Sequence, residues 1–65
     1  MKEKIQNKLY KMWLFREEAK TGNLFNNRNS ALQGAIELAE VLGFKVEFNP
    51  LAIEGENPFK VKEMK

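Results

Sequence analysis

At 65 residues the chain has room for one small domain, and folding at this size withdraws only about 60% of the unfolded chain's surface from water. There is no Cys, no His and no Asp, which removes disulfides, nearly every zinc, haem or iron–sulfur arrangement, and the EF-hand loop. Lys and Arg total 11 against 9 Glu, a net charge of +2, too even a balance to mark a dedicated nucleic-acid binder.

With 43% hydrophobic residues the chain is too apolar for disorder. Oligomerisation or a binding partner is the staple left for so small a core. No cofactor and no metal are expected. The opening MKEKIQNK lacks a following apolar stretch, and no apolar run approaches the roughly 18 residues that span a bilayer. A cytosolic protein without membrane association is the expectation.

The first helix is predicted over about residues 4–20, where Ile5, Leu9, Met12, Phe15 and Ala19 follow at intervals of 4, 3, 3 and 4. Gly22, able to take the left-handed conformation, marks its end. Lys4, Lys8 and Lys11 share one side, with Lys2 nearby. Such a stripe is a solvated face or a contact for nucleic-acid phosphates.

Inside this helix Met12, Trp13, Leu14 and Phe15 stand consecutively. At about 100° per residue they cannot share a face. Met12 and Phe15 join the main stripe, while Tyr10, Trp13 and Leu14 form a second. Burying a large apolar side chain is worth roughly 1.5–3 kcal/mol, and Trp and Tyr are enriched among interface hot spots. The second stripe is covered either by the chain's own strands or by another protein molecule, and the latter is favoured.

Residues 23–29, NLFNNRN, read as a connection rich in amides that bond their own backbone. Leu24 and Phe25 within it are expected to fold back onto the helical pair. Arg28 would then precede a helix N-terminus, where free N–H groups and the helix dipole favour an anion. Asn26, Asn27, Asn29 and Ser30 complete this candidate ligand site, whose plainer reading is a polar turn.

A second helix is predicted over about residues 30–42, opened by a capping box of Ser30 and Gln33. Leu32, Ala35, Ile36, Ala39 and Leu42 form its inner face, and Gln33, Glu37 and Glu40 point to water. The small residues Ala31, Ala35 and Ala39 leave room for large side chains of the first helix.

After Gly43 the apolar period drops to two. Phe44, Val46 and Phe48 alternate with Lys45 and Glu47, predicting a strand over residues 44–48. Asn49-Pro50 breaks it. A second alternation at about residues 59–62, Phe59 and Val61 against Lys60 and Lys62, makes a hairpin across a loop of about ten residues, longer than the usual two to five. The closing KEMK reads as frayed. Should residues 44–48 lack a good mate, their free backbone groups would template pairing with a second copy.

No constellation carries catalysis. Ser30 has no His to activate it, Glu17 and Glu18 diverge on their helix, Glu37 and Glu40 lie on a solvated face, and the four Gly are isolated. No catalytic residue is assigned. The expected fold is α+β, an antiparallel helical hairpin followed by one or two short strands in a single small domain. The expected function is a non-enzymatic protein–protein interaction module. It self-associates as a homo-oligomer through Tyr10, Trp13, Leu14, Phe44, Val46 and Phe48, in the manner of a phage or mobile-element regulator or inhibitor of a host protein. The alternative is a small binder of nucleic acid or an anionic ligand, using the Arg28 turn and the Lys4, Lys8 and Lys11 stripe.

Overall fold

Two helices and two strands make up residues 1–64, the part of the chain that the computed structural model describes. They are α1 (Lys2–Ala19), α2 (Gly22–Val41), β1 (Phe44–Phe48) and β2 (Phe59–Glu63). The helices form a hairpin and the strands pair antiparallel, an α+β arrangement as the periodicities predict. Among the described residues, no helix is long and apolar enough to cross a membrane.

The start of the second helix needs correction. It begins at Gly22, so the amide-rich residues 23–29 are helical and no turn exists there. The reversal is made by two residues alone: Lys20 takes the left-handed conformation at φ 64, and Thr21 is extended at φ −159 and ψ 173. Gly22 then enters the helix at φ 89, a value that costs a glycine nothing. Ser30 lies in the helix interior and caps nothing; the N-cap residue is Thr21. Asn has a helix propensity a few tenths of a kcal/mol poorer than Ala. Packing overrides it, because Phe25, Arg28 and Asn29 continue the face of Leu32 and are all partly buried. Leu24 does not fold back and is exposed.

The core is a cluster of Leu9, Leu32, Phe59 and Val61, one side chain from each helix and two from β2. Ile5, Met12, Trp13, Ala35, Ile36, Phe44 and Val46 pack around it, each only partly buried. Ala39 is buried, Ala35 half-buried and Ala31 exposed. Two expected core residues lie outside it: Phe15 and Leu42 remain 52% and 63% exposed.

In the sheet Val46 faces Val61, Phe44 faces Glu63 and Phe48 faces Phe59. The ladder continues beyond the paired residues through Met64 N–H to Gly43 O at 2.9 Å and Asn49 N–H to Pro58 O at 2.7 Å. Residues 62–64 are therefore held rather than frayed; Lys65 lies outside the described residues. The long hairpin loop is supported by its own bonds, among them Leu51 N–H to Asn49 Oδ1 at 3.0 Å and Glu56 N–H to Ile53 O at 3.0 Å. α1 packs chiefly on β2, and α2 on β1.

Leu32→Ala is expected to cost about 2–5 kcal/mol, a large part of the stability available to any small domain. Urea denaturation monitored by Trp fluorescence measures it. Leu38→Ala, at a 60% exposed position, is the control and should stay within about 0.5 kcal/mol of the parent.

Candidate functional site

A row of aromatic rings runs from α1 across the sheet. Tyr10 stacks on Trp13 with centroids 6.3 Å apart, Trp13 meets Phe48 at 6.3 Å, and Phe48 meets Phe59 at 5.2 Å. Tyr10 and Trp13 sit one turn apart on one face of α1 because their spacing is three residues. The 49–58 loop folds over them. Pro50, Ala52, Ile53 and Pro58 join Tyr10, Trp13, Leu14 and Phe48 around a hollow of ≈ 250 Å³.

The second apolar stripe is thus partly covered from within the chain. Tyr10 and Trp13 are half-buried, and the Trp13 indole Nε1 has no hydrogen-bond acceptor. Leu14 and Phe48 keep 42% and 48% of their surface exposed, and Leu51 and Ile53 on the loop are more open still. What α1 offers a partner is Leu14 and the rims of the two rings, continuous through Phe48 with β1.

The two edges of the sheet differ. In an antiparallel ladder, opposed residues exchange both hydrogen bonds or neither, in alternation. Bonds at Gly43 and Asn49 set the phase, so Lys45 and Glu47 point their backbone groups at β2 while Phe44, Val46 and Phe48 point theirs outward. On β2 the outward N–H groups of Phe59 and Val61 are occupied. Val61 N–H donates to Gln6 Oε1 at 3.0 Å, Phe59 N–H donates to Asn57 Oδ1 at 2.9 Å, and Asn57 Nδ2 donates to Gln6 O at 3.2 Å. On β1, among the described residues, no hydrogen bond reaches the outward groups of Phe44, Val46 or Phe48.

Side-chain cover follows the same asymmetry. Phe59 and Val61 on β2 are 4% and 3% exposed, whereas Phe44 and Val46 are half-buried and Phe48 is open. The opposite face of the sheet carries Lys45, Glu47, Lys60 and Lys62, with Lys62 Nζ 3.2 Å and Lys45 Nζ 3.8 Å from the Glu47 carboxylate.

The candidate anion site is corrected by the fold. Arg28 lies within α2, where the backbone N–H groups are spent on the helix itself. Its guanidinium stands 3.5 Å over the Phe15 ring and donates through Nη1 to Phe15 O at 2.6 Å. Asn29 is likewise occupied, accepting from Arg16 Nη1 at 2.9 Å. Arg16 also lies 5.0 Å from the Phe25 ring and 6.0 Å from Trp13. Both arginines therefore stitch α1 to α2. Asn26, Asn27 and Ser30 are exposed along α2 and do not converge with them. Sequence reading missed these two contacts, although Phe15 with Arg28 and Arg16 with Asn29 stand the same 13 residues apart.

Lys4, Lys8 and Lys11 are exposed on α1 as their spacing implies. Lys4 and Lys8 border an apolar groove of ≈ 270 Å³ between the helices, floored by Ile5, Leu9, Ala35 and Ala39 and walled by Leu38 and Leu42.

The hydrogen bond from Lys62, then its charge, holds the Glu47 carboxyl below the usual carboxylate range, with smaller contributions from Lys45 and Lys60. A carboxyl whose pKa is lowered on folding adds stability that is complete above its unfolded pKa and disappears as pH falls through its folded one. Lys62→Gln should raise the Glu47 midpoint towards the ordinary value in a carboxyl-detected NMR titration and remove that part of the acid dependence. An unmoved midpoint would mean the contact is absent in solution.

No family model, curated protein or solved structure matches the chain, so its function is read from these surfaces alone.

Proposed function

We propose that this chain is a non-enzymatic protein-interaction module that self-associates and acts by binding another macromolecule. The observation that carries the reading is the asymmetry of the sheet: one edge has its Phe59 and Val61 N–H groups taken by Asn57 and Gln6, the other has open backbone groups beside the half-exposed Phe48. An open edge flanked by bare aromatic surface is a template for strand addition. The small core supports the same reading, since a chain of this size gains most from surface buried against a partner.

A regulator or inhibitor of a host protein, of the phage or mobile-element kind, working in the cytosol, fits this module. The alternative, nucleic-acid or anionic-ligand binding, loses Arg28 to the Phe15 contact and keeps only the lysine stripe. Two of those lysines border an apolar groove, a surface better matched to a polypeptide than to a phosphate backbone.

Sedimentation at micromolar concentration tests the self-association. The intact chain should run as a dimer or larger species, and Leu14→Asp should move it towards monomer with an unchanged circular dichroism spectrum, because Leu14 is 42% exposed. A monomeric parent would overturn the self-association.

A further inference from the structure

We infer that two copies of this chain join edge to edge through β1, antiparallel about a twofold axis at Val46, to form one four-stranded sheet ordered β2-β1-β1-β2. This rests on the self-association proposed above and names the surface and the register. Three observations lead to it.

The first is availability. Phe44, Val46 and Phe48 turn their unbonded N–H and C=O groups away from β2, spaced as a second strand requires. The second is room on the helical side. Gln6 of α1 reaches past the outer edge of β2 to Val61 N–H. α1 packs chiefly on β2 and α2 on β1, yet Phe59 and Val61 are buried while Phe48 stays 48% exposed. A neighbouring strand beside β1 finds apolar side chains still to be covered.

The third is self-complementarity. With the axis at Val46, each Val46 faces its copy and each Phe44 faces Phe48 of the second copy on the helical side. On the solvent side each Lys45 faces Glu47 of the second copy. These last are the closer, non-hydrogen-bonded pairs of the ladder, and opposite charges there attract. Moving the axis by one residue sets Lys45 against its own copy in one direction and Glu47 against its own copy in the other. The charges thus select one register. A twofold axis closes the assembly at two, and Gln6 and Asn57 take the Val61 and Phe59 N–H groups that a further strand on the outer edge of β2 would need.

Charge exchange tests the register on the full chain. Lys45→Glu sets Glu against Glu47 of the second copy. Within its own chain it gains an opposite charge facing Lys62 and loses the 3.8 Å contact of Lys45 with Glu47, so an unchanged circular dichroism spectrum is required of the variant. Glu47→Lys sets Lys against Lys45 of the second copy. It is made together with Lys60→Glu, because Lys60 is its neighbour across β2.

Each variant alone should self-associate about tenfold more weakly than the parent. An equimolar mixture of the two should recover parental affinity as a heterodimer in native mass spectrometry, since all its cross-copy charges are then opposite. A dimeric parent whose variants associate as before, with no heterodimer preference, overturns the β1 register while self-association through another face stands. A monomeric parent at every concentration overturns both.

Discussion

Gln6 holds the structure together in a way its modest chemistry does not advertise. Its side-chain oxygen takes the Val61 N–H and its backbone oxygen takes the Asn57 amide, so one turn of α1 completes hydrogen bonds that a third strand would otherwise make. A buried backbone donor left unpaired costs about 1–3 kcal/mol, and this arrangement avoids that cost without adding a strand. It also fixes where α1 lies. Three residues on, Leu9 is carried into the core against β2, and the sheet acquires one finished edge and one unfinished edge.

The remainder is held by few contacts. Leu9 and Leu32 are the large side chains that are fully buried, and much of the surrounding apolar surface is only half covered. Towards the closed end of the helical hairpin, apolar packing gives way to arginine. Arg28 over Phe15, and Arg16 between Trp13, Phe25 and Asn29, join the helices there. The guanidinium suits this position because it stacks on a ring and donates in its plane at the same time. A lysine at either place could do only part of the work.

Much of the fold is legible in the residues because two distinct periods are written in them. Alternation at Phe44, Val46 and Phe48 and again at Phe59 and Val61 locates both strands, and the intervals from Ile5 to Ala19 locate α1. The beginning of α2 is not legible in the same way. Its first turns carry Asn at 23, 26, 27 and 29, residues that favour turns when nothing else is known. What makes them helical is tertiary: Phe25, Arg28 and Asn29 meet Arg16 and Phe15 only once the chain has doubled back. The Arg28 site depended wholly on that misplaced boundary. The second stripe of α1 was legible as a surface needing cover. Its occupant within the chain, the loop carrying Pro50 and Ile53, has no periodicity to betray it.

The two-residue link between the helices has a consequence in time as well as in space. Contacts between α1 and α2 close over a connection of only Lys20 and Thr21, and pairings that are near in sequence form early and fast. Phe59 and Val61, the residues that finish the core, come after both helices and after β1. The short link therefore lowers the loop-closure cost of the helical hairpin, while Phe59 and Val61 close a much longer loop back to Leu9 and Leu32.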